Sequence, residues 1–540
     1  MDISDISFLN LPFNKLFQDY INNPQKLEPF FQTVPFSDDQ LKRAFDSYRF
    51  KNDREKTVSL LIDYNKKFGA GEKTLRSIEK LKDENSVAVV TGQQLTLLGG
   101  PLFTVYKILS AIHFAKKWED EYQRPCIPVF WLADEDHDYE EISTLGIPLR
   151  DDHKKISLSK HSDIERRVAE IELTSDYQIF KKEVIESQFD TDFTDQLWRK
   201  LDKFYQPGKT VGKAFGSLVL ELFEDKGLIL AGSADSAIKE HLSSVFIQSV
   251  KDVSKQFESL KQTTDDLIST GYHGQVHLQP SNIFWIDEKD NRTKLSYEDE
   301  TWSVDGKDGK SWSSDELINE IEDQPDRFSP NVFLRPIIQN ELLPGFAYIA
   351  GPGEIAYNAQ MKKFYKHFNQ VMPVIMPRFS ITLMESGIDR IFEKLPFNFS
   401  DYNDRIEDLE SQFIDQSDSP DIEAIFDQWK KNIDDVCEEP TEEIKNIDPT
   451  LEGTSEKAKA TFFTELDKLK GKVYRSVKDQ EKTQLDRIRK IKTNLFPNNN
   501  LQEREVAFIY FMNKYGLMIW DDLLNELENQ EPDFHKVIRL

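Results

Sequence analysis

Val87-Ala-Val-Val-Thr-Gly-Gln-Gln94 and, a helix's length further on, Cys126-Ile-Pro-Val-Phe-Trp-Leu-Ala-Asp-Glu-Asp-His-Asp138 decide the fold. Each opens with a short, continuous apolar run rich in β-branched residues, the pattern of a strand buried on both faces. The first run ends in a glycine turn at Thr91-Gly-Gln-Gln94. Leu98-Gly-Gly-Pro-Leu102 follows, and then a helical stretch from about Thr104 to Glu121. Strand, glycine turn, helix and strand make a βαβ unit, whose crossover is right-handed.

The pattern returns further along the chain. Gly227-Leu-Ile-Leu-Ala-Gly232 reads as another buried strand, followed by a helix from about Asp235 with Ser233 as its N-cap. Phe346-Ala-Tyr-Ile-Ala-Gly-Pro-Gly-Glu354, a helix from about Ile355 to Phe368 and the strand Met372-Pro-Val-Ile-Met-Pro377 repeat the first unit. The expected fold is α/β: a Rossmann-like, doubly wound core over 86–240 and 331–385, interrupted by a connecting insertion over 241–330. Within the insertion, Gly271–Leu278 and Asn282–Ile286 read as β segments and Trp302–Ser313 as hairpin and loop. Residues 1–85 read as an amphipathic helical segment that packs on the core.

Beyond residue 386 glycine becomes scarce and charge abundant. Ile406, Leu409, Phe413, Ile422, Ile425, Trp429, Ile433 and Val436 recur at spacings of three and four. So do Leu466, Leu469, Val473, Val477, Leu485, Ile488, Ile491 and Leu495. That is a coiled-coil seam, interrupted near Lys478–Gln484, with a loop signal from Glu438-Glu-Pro-Thr to Asp448-Pro-Thr. The economical reading is an antiparallel α-helical coiled-coil arm over 386–497, followed by a C-terminal helical segment over 498–540.

Charge and cysteine usage exclude several classes. With 69 Lys+Arg against 96 Asp+Glu the net charge is −27, which argues against a nucleic-acid binder. Two cysteines among 540 residues form no disulfide framework and fit a reducing cytoplasm. No run of apolar residues approaches a bilayer span and the N-terminus lacks a signal-peptide pattern, so a cytoplasmic location with no membrane partner is expected.

The residues that could carry chemistry gather at strand ends, where a doubly wound fold holds its ligand. Gly92 allows a tight turn before a helix N-terminus that offers N–H groups to an anion. Asp134-Glu-Asp-His-Asp138 packs four carboxylates around His137. It is either a solvated acidic loop or a group that meets a metal, a substrate ammonium or a transferred proton. In Gly351-Pro-Gly-Glu354 two glycines admit close backbone approach, with Glu354 in the first helical turn and Tyr357 and Gln360 beyond it. Arg378 offers a fork for a carboxylate or phosphate, or forms a salt bridge. His273 and His277 lack further zinc ligands, Cys126 reads as a core thiol and Cys437 has no catalytic company. Arg487–Lys492 reads as a solvated helix face.

Taken in order, these blocks resemble one family. Val89-Val-Thr-Gly-Gln-Gln94, Gly100-Pro-Leu102 with Thr104-Val-Tyr-Lys107, and Pro128–Asp138 are similar to the N-terminal signature of the bacillithiol biosynthesis cysteine-adding enzymes. Gly271-Tyr-His273, Gly351–Tyr357 with Ala359-Gln360, and Pro373–Arg378 match later blocks. Leu495-Phe-Pro-Asn498, Leu501-Gln-Glu-Arg504 and Asn513-Lys-Tyr-Gly516 match the C-terminal signature. The resemblance covers essentially the whole chain. It implies a Rossmann-like core, a homodimer formed through the coiled-coil arm, and the addition of cysteine to the amino group of glucosaminyl-malate.

Making an amide from a carboxylate in water requires activation, so ATP or another adenine nucleotide is the expected cofactor, with Mg2+ as its companion and no metal site made by the protein itself. The nucleotide is expected at Thr91, Gly92, Gln93, Gln94, Gly351 and Gly353. His137, Asp134, Asp136 and Asp138 are the expected catalytic group: His137 as general base or phosphate ligand, the aspartates holding the substrate ammonium or Mg2+. Lys107, Trp131, Glu354, Tyr357, Gln360 and Arg378 are expected to bind substrate, with Lys107 or Arg378 meeting the malate or phosphate charge. The rival reading is a non-catalytic dimeric nucleotide- or metabolite-binding scaffold whose arm recruits partners.

Overall fold

The structure, a computed structural model, describes residues 2–159, 166–304, 310–416 and 421–540. The chain divides into two compact units: 1–149, 153–383 and 502–538 form the first, and 150–152, 384–501 and 539–540 the second.

The first unit is built on a five-stranded sheet of β1 (Val87–Gln93), β2 (Cys126–Leu132), β3 (Ile229–Ala231), β4 (Gly345–Ala350) and β5 (Val374–Pro377). The spatial order is β5-β4-β1-β2-β3 and every pairing is parallel. The strands are apolar throughout because both faces are covered. Val87, Val89, Ala347, Ile349 and Val374 pack with Ala111, Phe114 and Trp118 of helix α1 (Leu102–Tyr122). The valine, isoleucine and phenylalanine side chains among them contribute roughly 1.5–3 kcal/mol each on burial. Cys126 lies in this core, and burial, with Glu119 nearby, pushes its thiol up to about 12. Strand order reverses between β1 and β4. A crevice must therefore open at their carboxyl ends, beside Gln93 and Gly351.

The insertion forms its own antiparallel sheet of Ser311–Trp312, Thr301–Val304, Arg292–Glu298, Ile283–Ile286 and Phe328–Pro330, in that order. The tip of the expected 302–313 hairpin, at 305–309, lies outside the described residues. Several expectations are corrected. Gly271–Leu278 forms no strand and instead runs irregularly, its backbone at Val276 held by the Gln360 amide. Helix α2 (Ser236–Lys251) is capped by Asp235, because the Ser233 hydroxyl donates to Glu135 instead. The helix expected to run to Phe368 ends at Asn358 and resumes as a 3-10 turn over Phe364–Phe368. The C-terminal segment ends in a strand, His535–Arg539, which joins Asp2–Ile6 and Ser380–Met384 in a three-stranded sheet.

The second unit carries the helical arm. Ile422–Ile447 and Glu452–Gln480 run antiparallel, with Lys430 on Asp467 at 2.7 Å, Lys459 on Asp434 at 3.0 Å, and Ile422, Phe426 and Leu466 buried with Ile414. The first helix passes through Pro440 despite the loop signal there, and turns only at Asp448–Leu451. The lost backbone bond at Pro440 is tolerated where Thr441 is buried and bonded to Ser455 across the pair. The seam does not continue past Glu481. Leu485, Ile488, Ile491 and Leu495 belong to a separate helix, Lys482–Leu495, packed on Ser386–Phe392 and Ile406–Gln416. Nor is the basic stretch 487–492 wholly solvated: Lys492 is buried and donates to the carbonyls of Tyr402 and Asp404. No helix of the described residues is long and apolar enough to cross a membrane.

Candidate active site

The crevice at the carboxyl ends of β1 and β4 is a cavity of about 820 Å3. Its floor is one buried ion pair. Lys107, six residues into α1, reaches Glu354 Oε2 at 2.6 Å, the Gly92 carbonyl at 2.8 Å and Gln93 Oε1 at 3.0 Å, which uses all three of its N–H donors. Burial lowers the Lys107 pKa, against the attraction of Glu354. Glu354 in turn accepts from the Tyr348 hydroxyl at 2.6 Å and the Gly351 N–H at 2.8 Å. Burial acts to raise its pKa, but Lys107 and the Gly351 N–H hold the carboxyl below its usual range. Two of the expected ligand-facing groups are thus bonded to each other, and the Gly351 N–H is already taken.

The glycine at 92 has a packing reason. A Cβ there would lie 3.0 Å from the Trp131 carbonyl oxygen and 3.1 Å from its Cβ. Thr91 ties β1 to β4 through its hydroxyl on the Ile349 carbonyl, at 3.0 Å. Gly353 lines the crevice with open space where a side chain would project.

The acidic run after β2 is divided by the backbone. Asp134 faces inward: its Oδ1 accepts from the N–H groups of Ser233 and Ala234, both at 3.2 Å, and its Oδ2 from the Tyr64 hydroxyl at 2.8 Å. Burial, and then the charge of Glu135, push its pKa up to about 7. Gly232 is required beside it, since a Cβ there would sit 2.3 Å from both the Tyr64 hydroxyl and Asp134 Oδ2. Glu135 is also inward, 2.5 Å from the buried Lys239 of α2, which donates to the Phe328 carbonyl at 2.8 Å as well. Asp138 caps the short helix Tyr139–Ser143. Asp136 shares the crevice wall with Asp134 and Glu135, and accepts there from Gln94 Nε2 at 2.8 Å and the His137 N–H at 2.7 Å. His137 does not line the cavity. Its Nδ1 lies 3.2 Å from Arg292 Nη1.

Trp131 and Tyr357 line the crevice. Gln360 does not line it; it clamps the 271–278 segment and Thr264 from behind. Arg378 touches the cavity with its fork closed on Glu503, at 2.7 and 2.9 Å, both partners nearly inaccessible. Glu503 accepts further from Ser380 and the Ile381 N–H. His273 and His277 are exposed on an irregular segment. Among the described residues no group of three or more His, Cys, Asp or Glu side chains is placed to hold a metal ion.

The crevice also contains cations not expected at the site: Arg292 and Lys294 from the inserted sheet, Arg335 from α3 (Leu334–Leu342), and Arg504 of the Leu501–Arg504 block. Arg335 donates to the Tyr357 hydroxyl at 3.0 Å and to Gln339 at 3.1 Å, with its guanidinium over the Tyr348 ring. The alternation Arg292-Thr-Lys294 places both cations on one face of a strand, a signal legible once that strand is recognised.

The chain matches the domain description "Bacillithiol biosynthesis BshC, N-terminal Rossmann-like domain" over residues 1–379. Residues 381–540 match "Bacillithiol biosynthesis BshC, C-terminal coiled-coil domain". It is 33% identical over 488 residues to a protein of Salinibacter ruber, covering 90% of this chain and 89% of the other. It is 31% identical to one of Anoxybacillus flavithermus, over 98% of this chain and 99% of the other, and 29% identical to one of Bacillus cereus strain AH187 over the full length of both. All three relatives carry the name "Putative cysteine ligase BshC".

Proposed function

The chain belongs to the bacillithiol biosynthesis BshC family, and from that premise we propose that it is a cysteine ligase, joining L-cysteine to the amino group of glucosaminyl-malate in the last step of bacillithiol formation. The observation that carries this reading is the charge of the crevice. A chain of net charge −27 gathers Lys107, Arg292, Lys294, Arg335, Arg378 and Arg504 on the wall of this one cavity, beside Asp134, Glu135, Asp136, Glu141 and Glu354. Glu354 and Glu503 neutralise Lys107 and Arg378. Arg292, Arg335 and Arg504 have no hydrogen-bonded carboxylate among the described residues. Guanidinium groups with no carboxylate in hydrogen-bond contact favour anionic ligands, such as a malate group or a nucleotide phosphate.

An adenine nucleotide, when bound, supplies the leaving group that makes amide formation from the cysteine carboxylate favourable. The residues that fit its phosphates are the cations Arg335, Lys294 and Arg504, because Glu354 occupies the Gly351 N–H and Pro352 has none to offer. A Mg2+ would enter on those phosphates, as Mg2+ generally does, rather than on a protein cage. Asp136, held by Gln94 and the His137 N–H, is suited to orient the attacking amine and to receive its proton. Trp131 and Tyr357 form part of the crevice wall. The test is mass spectrometry of the purified chain with L-cysteine and glucosaminyl-malate, with and without ATP and Mg2+. The expected product is glucosaminyl-malate enlarged by one cysteinyl residue, together with a nucleotide product. Saturable binding without any new product returns the scaffold reading.

The arm supports a homodimer as part of the same proposal. Trp429, Val436, Phe462 and Leu469 are 43%, 72%, 58% and 40% exposed on the helical pair. A second copy laid along the arm would cover them.

A further inference from the structure

Arg292 is held more firmly than a surface arginine. Its Nε donates to Ser329 Oγ at 2.8 Å, Nη2 to the Pro330 carbonyl at 2.6 Å and Nη1 to His137 Nδ1 at 3.2 Å. Its plane lies 3.8 Å over the Phe284 ring. The inserted sheet explains the stack: Arg292 pairs with Ile286 across two antiparallel strands, and Phe284 is the next residue on that face. Three of the five guanidinium N–H groups are engaged by these partners, leaving two for a ligand in the crevice that Arg292 lines.

A guanidinium can only donate, so His137 Nδ1 must be the acceptor in their contact, and the neutral ring carries its proton on Nε2. A proton added at Nδ1 would set donor against donor. Asp136 Oδ1 lies 3.8 Å from the same Nδ1. His137 lies behind Arg292, outside the cavity lining, whereas Arg292 faces in. We propose that Arg292 is an anion-recognising residue of the crevice, and that His137 is a positioning residue that holds its guanidinium in place. The inference rests on the crevice being the substrate site. The ligand group is a carboxylate or a phosphate, since the same pair of N–H groups serves either.

Calorimetric titration of the full-length chain with L-malate and, separately, inorganic phosphate tests this. The proteins compared are wild type, Arg292→Gln, Arg292→Lys, His137→Ala and His137→Asn, each checked for an unchanged melting transition. The asparagine side-chain oxygen stands where Nδ1 stands and preserves the acceptor. Arg292→Gln is expected to weaken binding at least about tenfold and Arg292→Lys to fall between it and wild type. His137→Ala is expected to weaken binding about tenfold, while His137→Asn stays within about threefold of wild type. In cysteine-addition assays the His137→Ala loss should appear in KM, with rescue by His137→Asn. A loss confined to the malate arm assigns the fork to a carboxylate, and one confined to the phosphate arm to a nucleotide.

Wild-type affinity retained in Arg292→Gln overturns the inference and leaves the proposed function standing. So does a collapse of kcat in His137→Asn equal to that in His137→Ala. If wild type binds neither probe, the anion-recognising role of Arg292 falls, and the cysteinylated product in the mass-spectrometric assay decides separately whether the proposed function stands.

Discussion

Lys107 Nζ lies 2.6 Å from Glu354 Oε2, and this buried pair joins the glycine turn after β1 to the one after β4 across the point where strand order reverses. Each partner is desolvated, so either charge left alone is costly. Glu354→Gln and Lys107→Met should each destabilise the first unit by about 3–5 kcal/mol. The double substitution should cost less than the sum of the two. Urea unfolding of the four proteins measures the coupling; strict additivity would mean that the pair does not interact.

Asp134 should make wild-type stability fall with rising pH in a window where most carboxylates help. Its pKa in the folded chain is about 7, against about 3.9 when unfolded. Between those values the folded state holds a proton that the unfolded state has released. Stability from this group is therefore full below about pH 4, declines as pH rises to 7, and is level above. Asp134→Asn keeps an acceptor for the Ser233 and Ala234 N–H groups and removes the titration. Melting temperatures of both proteins from pH 5 to 8 should show the variant gaining on wild type as pH increases. A constant gap across that range would place the Asp134 pKa elsewhere.

Arg378 should behave as a structural residue. Its two parallel bonds to Glu503 tie the end of β5 to the segment Gln502–Glu505, and neither side chain reaches bulk solvent. Arg378→Lys keeps the charge but cannot form the fork, so a loss of stability of about 3 kcal/mol is expected. KM for the acidic substrate should move little in the folded fraction. Guanidinium unfolding alongside steady-state kinetics separates the two effects, and a large KM change at full stability would return Arg378 to the ligand.

What the sequence discloses here depends on the range of the interaction that fixes each feature. Val87–Thr91 and Cys126–Leu132 are legible as strands because burial on both faces leaves an unbroken apolar run. Both glycine turns are legible for the same reason, since they end such runs. Which atoms those turns present is set by partners far away in the chain. Glu354 takes the Gly351 N–H, Lys239 draws Glu135 inward, and Tyr64 and Ser233 draw Asp134. Alternation cannot show that Asp138 caps a helix while Asp136 is held on the crevice wall by Gln94. Arg292 and Arg335 reach it only through an inserted sheet and a helix about 200 residues beyond β1, with no local pattern to connect them. The arm shows the same limit. Its spacing of three and four is plain, but Ile422, Phe426 and Leu466 are buried there with Ile414, while Ile433, Val473 and Val477 pack against them half-buried and Trp429 and Val436 face out.

Those outward residues give the last prediction. A helical pair whose own seam buries Phe426 and Leu466 gains nothing within one chain from Trp429 at 43% exposure or Val436 at 72%. Covering them with a second copy removes apolar surface from water at roughly 25 cal/mol per Å2. Trp429→Ser combined with Val436→Ser should therefore leave helix content and melting temperature nearly unchanged while halving the mass seen by light scattering at micromolar concentration. Leu466→Ala, by contrast, should loosen the pair itself by about 2–5 kcal/mol, because it opens a cavity against Phe426 and Ile422. Circular dichroism distinguishes the two losses, since only the second lowers helicity on heating. A wild-type mass of 63.0 kDa under these conditions would remove the dimer, and with it the reason for the exposed stripe.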